Sequence, residues 1–355
     1  MDTESNLEIA EDSPVADCLL SVIVPARNEA ASIRACLASL VQQSEDGFLL
    51  DRQWELLVVD DGSTDETRAI VMEFAGVTVL ESPPLPEGWT GKNNAVWFAA
   101  QRAQGKWLLF TDADTVHEPG NLRRAIHEAE RHHVVLLSYS PRQMVHGFWQ
   151  RTLMPLIFSE LAQKYSMRRV NDPDSPVAAA NGQFLLILRD AYRRIGGHAA
   201  VCTEIVEDLE LAKRCKQAHA GLHFRYAPDA VSTRMYRSAG AMIEGWKKNL
   251  LTLFPDAVTR GLWKLVETVL LFGLPLLAIW LYLTVARTGI IWAVVLWWAW
   301  RLRVHYSRVS KAHFSAVNTM LSPLALPLFG WLLLDSWFGR RLGRPVRWKD
   351  RSYSG

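Results

Sequence analysis

The sequence predicts an α/β fold, a mostly parallel sheet with helices on both faces, followed by C-terminal transmembrane helices. Three observations carry this. From Leu19 to Tyr139, short apolar runs alternate with amphipathic segments, as parallel strands joined by covering helices do. Charge is divided along the chain: from Asp256 onward there are 13 Lys/Arg against 4 Asp/Glu, and before it 26 against 33. Residues 268–286 carry no charge, nearly the length of about 20 residues that a helix needs to cross a bilayer.

The elements follow in order. Residues 19–25 (LLSVIVP) read as a buried strand, and 28–43 as a helix with its apolar stripe at Ile33, Leu37, Leu40 and Val41. A second strand covers 54–60. Ser63 and Glu66 then stand at capping-box spacing for a helix ending near Phe74. Residues 77–81 give a third strand, and 93–104 a helix. The fourth and fifth strands are WLLFTD (107–112) and VVLLSY (134–139). Residues 147–169 mix large apolar side chains with Arg and Lys. They suit either a helix in a membrane interface or a core helix with one charged face.

The C-terminal part is basic, apolar and holds most of the 15 tryptophans, the composition of a membrane-attached enzyme and not of a nucleic-acid binder. Beyond 268–286 lie a shorter uncharged run at 288–300 and a longer one at 314–334, which Pro323 and Pro327 interrupt. The loop 301–313 and the tail are both basic, so both should face the cytoplasm. A helical hairpin (268–300) followed by a kinked or re-entrant segment satisfies that. The expected divisions are a disordered acidic tail (1–18), a soluble α/β domain (19–255), a transmembrane region (256–338) and a basic cytoplasmic tail (339–355). The first 18 residues hold six acids and no Lys/Arg, unlike a secretory signal. The expected location is the inner (cytoplasmic) membrane, multi-pass, with two to four spans and the α/β domain in the cytoplasm. Four cysteines without metal-ligand spacing read as reduced, mostly buried thiols.

TDAD (111–114) places two carboxylates one residue apart at the end of a strand. Like charges so close raise the folding cost unless a cation or donor lies between them. Asp-x-Asp alone means little, since NDPD (171–174) repeats it in what reads as a turn. Position distinguishes TDAD, because open α/β sheets bind ligands at the carboxyl ends of their strands. Acids there either bind a hard divalent cation together with substrate phosphates or form a solvated loop. Asp60 and Asp61 end the second strand on the same edge, and Pro25, Ala26, Arg27 and Glu29 follow the first. Each also has a plainer explanation: Asp60–Gly62 as a turn, and Glu29 as an acid at a helix start.

Taken together, VPARNE, VVDDGSTD and TDAD resemble the family 2 glycosyltransferases of GT-A fold over about residues 19–254. LPEGWTGKNNA, AANGQFLLILRDAYRRIGGH, VEDLELAKR and RMYRSAGAMIEGWKKN resemble the membrane-bound bacterial members associated with carotenoid or hopanoid glycosylation. The resemblance implies a nucleoside-diphosphate sugar donor, UDP-sugar favoured, and a divalent metal, Mg²⁺ or Mn²⁺. Pro25, Ala26, Arg27, Glu29, Asp60 and Asp61 would line the base and ribose pocket. Asp112 would meet the ribose or the metal, Asp114 would ligate the metal, and Lys92 would neutralise diphosphate. Asp208 matches the family's general base, and Gly182, Glu207, His198 and Trp246 would shape the acceptor site. Glu204, Glu207 and Asp208 also fit a helix's first turn, where acids are favoured in any case.

The expected reaction is a single inverting sugar transfer to a membrane lipid hydroxyl, an isoprenoid-type acceptor favoured. The Gln-x-x-Arg-Trp motif of processive members is replaced by IEGWKKN. Two rivals are a nucleotidyltransferase, for which a Gly-rich loop after the first strand is lacking, and a non-enzymatic membrane scaffold. Which sugar, base, lipid and oligomeric state apply is not written in the sequence.

Overall fold

The computed structural model describes residues 18–284, 288–342, 346–348 and 351–353. The expected acidic tail therefore lies outside the described residues apart from Cys18, as do residues 343–345, 349–350 and 354–355 of the basic tail. The chain runs β1 (Leu20–Ala26), α1 (Ile33–Val41), β2 (Trp54–Asp60), α2 (Thr67–Met72), β3 (Val77–Glu81), α3 (Gly91–Ala100) and β4 (Trp107–Phe110). It continues through β5 (Thr115–His117), α4 (Asn121–Arg131), β6 (Leu136–Ser140), β7 (Arg142–Gln143), α5 (Gly147–Lys164), α6 (Met167–Asn171), β8 (Leu185–Leu188) and α7 (Arg189–Arg194). Then come α8 (Glu207–Gln217), β9 (Leu222–Tyr226), β10 (Val231–Thr233), α9 (Ala239–Leu253), α10 (Ala257–Thr284) and α11 (Thr288–Val309). The last elements are α12 (Ala316–Leu321), α13 (Leu326–Arg341), β11 (Val346–Trp348) and β12 (Arg351–Tyr353).

The main sheet has the order β3-β2-β1-β4-β8-β6-β9. β3, β2, β1 and β4 are parallel, and β6 and β9 are parallel to each other. The predicted fifth strand does not sit beside the fourth. β8 lies between them, antiparallel to both. A second sheet, β5-β10-β7, is short.

Side chains alternate across the central strands, and both faces are covered. Leu20, Val22 and Val24 of β1 pack with Leu56 and Val58 of β2 against Ile33, Leu37 and Leu40 of α1. On the other face Ile23, Leu57 and Leu108 meet Ala95, Val96 and Ala99 of α3. Strands buried on both faces read as unbroken apolar runs, which is why they were legible. The expected Ser63–Glu66 capping box does not form. Glu66 precedes α2 without a side-chain cap, and Ser63 Oγ accepts instead from the Asn28 N–H (3.1 Å). Among the four cysteines, Cys36 and Cys215 are buried and Cys18 and Cys202 half-buried, all as free thiols. NDPD is a turn, with Asp172 Oδ1 accepting from the Asp174 N–H (3.0 Å).

A third core joins the α/β domain to the C-terminal helices: Leu153, Met154 and Ile157 of α5, Trp246 and Leu250 of α9, and Phe329 and Leu333 of α13. Residues 147–164 form a helix packed in this core, as the core-helix expectation has it. Phe148 and Trp149 are exposed at the start of α5, while the rest of that helix is largely buried. α10 and the segment Ala316–Arg341 are long and apolar enough to cross a membrane. Pro323 falls in a 3₁₀ turn and Pro327 in the first turn of α13, so the α-helical pattern is interrupted where the proline pair lies. The basic loop expected from residue 301 is largely helix, because α11 continues to Val309. A buried ionic network ties these pieces together. Lys264 Nζ lies 2.6 Å from Glu160 and 3.2 Å from Glu267, and His305 Nδ1 is 3.0 Å from Glu267.

Candidate active site

The site is built where β1, β2 and β4 end. Register places Ala26 opposite Asp60, and the Asp61 N–H donates to the Ala26 carbonyl (2.8 Å). On the other side of β1, the Thr111 N–H donates to Ile23 (3.1 Å). Asp61 and Asp112 therefore follow strand tips two strand spacings apart, roughly 10 Å, with the end of β1 between them.

The first two loops are laced together. Arg27 Nη1 donates to the carbonyls of Asp61 (2.5 Å) and Gly62 (3.1 Å). The Thr64 N–H donates to Asn28 Oδ1 (2.8 Å), and the Glu29 N–H to Thr67 Oγ1 (2.7 Å). Asp60 Oδ1 accepts from the Ser63 N–H (3.0 Å), so Asp60 closes the turn that the plainer explanation foresaw. Both Asp60 and Asp61 are buried.

The TDAD loop is fixed from beneath. Thr115 Oγ1 donates to the Asp112 carbonyl (2.8 Å), and Thr111 Oγ1 donates to the Gln183 carbonyl (2.8 Å). His117 Nε2 lies 3.2 Å from each of these hydroxyls, and burial pushes its pKa down to about 3. The backbone N–H of Arg234 donates to the Asp114 carbonyl (3.3 Å), which brings an exposed arginine to the second acid.

Lys92 is the electrostatic centre. It sits in the first turn of α3, whose N-cap Thr90 accepts from the Asn93 N–H (3.2 Å). Its Nζ is 2.8 Å from Asp112 Oδ1 and 2.8 Å from Glu207 Oε1. Partial burial works against the ammonium, but Asp112 and Glu207 more than offset it and hold the pKa well above the usual lysine value. The Asp208 carboxylate accepts from the N–H groups of Gly182 (2.7 Å) and Leu209 (2.8 Å). Burial, then the neighbouring Glu207 carboxylate, push its pKa up to about 7. A Cβ on residue 182 would lie 3.1 Å from Lys92 Nζ and 3.5 Å from Asp208 Oδ2. The backbone can approach the two charged groups because this residue is glycine.

Pro25, Lys92, Asp112, Gly182, His198 and Asp208 line one pocket. Its cavity volume is only about 10 Å³, room for a single water, because the ion pairs of Lys92 fill it. His198 is buried, with Nδ1 2.8 Å from the Tyr192 hydroxyl and its ring edge-on to Phe110. Burial, then Lys92, lower its pKa to about 3, so it is a neutral wall of the pocket.

One expected acceptor residue is placed differently. Trp246 is buried in the α5–α9–α13 core, where its indole N–H donates to Met154 Sδ (3.2 Å), and it does not line the pocket. Glu207 does line the pocket with Gly182 and His198, buried and paired with Lys92. Sequence reasoning passed over Thr111, Asn181 and Gln183, the polar residues that support the two loops. Asn181 is held by a bond from its N–H to Ser138 Oγ (2.8 Å). Only the NGQ triplet before an apolar run hinted at them.

The donor set at the TDAD loop suits a hard divalent cation: two carboxylates one residue apart, oxygen only, with Lys92 on Oδ1 of Asp112. Carboxylates at the tips of β2 and β4, on either side of β1, stand with a lysine and a separately held carboxylate at one edge of the sheet, and the fold is that of a GT-A transferase. Residues 21–196 match the family model described as Glycosyl transferase family 2, and the chain carries a family 2 glycosyltransferase domain. It is 25% identical over 349 residues to 4,4'-diaponeurosporenoate glycosyltransferase of Staphylococcus aureus (strain USA300), covering 94% of this chain and 88% of that one. The protein of the same name from strain MRSA252 is also 25% identical, over 350 residues. A solved mannosyltransferase from Pyrobaculum calidifontis, in complex with GDP-Man and Mn²⁺, shares the fold with a TM-score of 0.53 at 17% identity. It covers 92% of this chain and 88% of that one.

Proposed function

We propose that this protein transfers one sugar, with inversion, from a nucleoside-diphosphate sugar to the hydroxyl of a membrane lipid. The observation that carries this is the pairing, in one pocket, of a half-buried carboxylate poised near neutrality with a lysine held by carboxylates. Asp208, as carboxylate, takes the proton of the acceptor hydroxyl while that oxygen attacks the anomeric carbon. The Gly182 and Leu209 N–H groups hold its two oxygens and fix its direction. Lys92 offsets the charge that grows on the leaving diphosphate, and incoming phosphate competes with Asp112 and Glu207 for its ammonium. Pro25, Ala26, Arg27, Glu29, Asp60 and Asp61 form the nucleotide side. Asp114 and Asp112 would hold Mg²⁺ or Mn²⁺, whose contribution when bound is to neutralise diphosphate charge.

The acceptor side rests on the helices. α10 exposes Leu276, Ile279, Trp280 and Leu283, and α11 exposes Trp292, Leu296, Trp297 and Trp300, a surface suited to lipid with tryptophans at its borders. The S. aureus relatives, matched along nearly the whole chain, are named for glycosyl transfer involving diaponeurosporenoate, and that likeness favours an isoprenoid-type acceptor. The α/β domain then lies on the cytoplasmic face. A thermal-shift screen of UDP- and GDP-sugars with and without Mn²⁺ or Mg²⁺ tests the donor half. Stabilisation should require both nucleotide and cation, and a flat response to every pair removes the proposal.

A further inference from the structure

A second cleft lies outside the donor pocket. Glu204 before α8, Leu251 and Thr252 at the end of α9, Pro255, and Trp337 and Arg340 of α13 line it, with Arg341 beside them. Its cavity volume of about 560 Å³ falls within the range of small-molecule sites. One wall is apolar. Another is doubly cationic, since Arg340 and Arg341 occupy the last turn of α13, where the helix dipole also favours a cation. Arg341 lies over the Trp337 ring at 4.9 Å. Among the described residues neither guanidinium is paired with a carboxylate. Phe338 and Leu342, on the same turns, are exposed.

We infer that this cleft binds the headgroup of an anionic phospholipid that also carries hydroxyl donors, of the phosphatidylglycerol type. The inference rests on the membrane reading given above. Two arginines match one phosphate diester, and basic pockets at the cytoplasmic ends of membrane helices take such headgroups. Glu204 and Thr252 supply acceptors for headgroup hydroxyls on the facing wall. Leu251, Pro255 and Trp337 receive the glycerol and the first methylenes, while Phe338 and Leu342 continue the apolar surface towards the acyl chains. Glu204 stands four residues before Asp208, so their Cα atoms are within about 14 Å. The carbonyls of Val201, Cys202 and Glu204 are all gathered by Asn93 Nδ2 (2.8, 3.1 and 3.0 Å). A headgroup seated here braces the loop that leads to the base.

The test uses the full chain in nanodiscs of phosphatidylcholine alone or with added phosphatidylglycerol or phosphatidic acid, and counts retained lipid by native mass spectrometry. One phosphatidylglycerol per chain should be retained, in preference to phosphatidic acid. The double variant R340Q/R341Q should weaken retention at least tenfold, R340K/R341K should keep most of it, and E204A should erase the preference over phosphatidic acid. Glycerol 3-phosphate and inorganic phosphate in solution should not displace the lipid. Equal retention of phosphatidylcholine, unchanged retention in R340Q/R341Q, or displacement by a neutral isoprenoid alcohol overturns the inference. The last result would give the cleft to the acceptor. Insertion of the wild-type chain into phosphatidylcholine discs reports separately on the membrane reading, and donor-induced thermal shift on the transferase reading.

Discussion

The Lys92 ammonium lies 2.8 Å from Oδ1 of Asp112, so the lysine at the start of α3 and the first acid of TDAD neutralise one another across the pocket. Glu207 completes the pair from the far side. Replacing Lys92 with Met should lower kcat about 10²–10³-fold, the loss typical of removing one preorganised charge-stabilising group. It should also weaken diphosphate binding in calorimetry. Unchanged kcat in K92M would remove the lysine from the mechanism.

Asp208→Asn should abolish measurable turnover, a loss of at least about 10²-fold, and leave the donor-induced thermal shift intact. Because the pKa of Asp208 is raised to about 7, activity should climb as pH rises through 7 and then level off, as the base loses its proton.

The same shift has a stability consequence of definite sign. Between about pH 4 and 7 the folded chain keeps a proton on Asp208 that the unfolded chain has released, so this group's contribution to stability falls as pH rises across that window. D208N should be relatively more stable than wild type at pH 8 than at pH 4. Parallel Tm–pH curves for the two proteins would contradict the assignment.

Lys264 and Glu267 are both buried and share the network that joins α5, α10 and α11. Lys264→Met leaves Glu160 and Glu267 uncompensated by it, and should cost about 3–5 kcal/mol in detergent unfolding. A smaller change would mean that Arg260 and Arg308, which also meet these acids, carry the charge balance.

Trp246→Phe should leave the KM for acceptor within about twofold, because the ring is packed against Met154 and Tyr236 away from the pocket. A tenfold or larger change in KM, with the fold intact, would restore the residue to the acceptor site.

How far the molecule was legible differs between strand and loop. Trp54–Asp60 and Val77–Glu81 were read to the residue, since a buried parallel strand is a run of apolar residues bounded by turns. β8 was missed as a strand: four apolar residues leading straight into α7 carry no period that separates strand from helix. Asp60, Asp112 and Asp208 were visible as acids at strand ends or a helix start. Their pairings were not, because Gly182 stands 26 residues before Asp208 and Lys92 stands 20 before Asp112, and each pair meets only on folding. Trp246 was misplaced because a tryptophan in a resembling motif looks the same whether it faces lipid or core. The Ser63–Glu66 spacing misled for a related reason: Asn28, from another loop, claimed the serine.

The shared core of α5, α9 and α13 bears on any attempt to cut the protein in two. Severing it after residue 255 would strip the cover from Leu153, Met154, Trp246 and Leu250 and orphan Glu160 from Lys264. The amputated α/β half would come away sticky and wounded, not as a clean soluble enzyme. The hydrophobic C-terminal helices are masonry for the α/β domain.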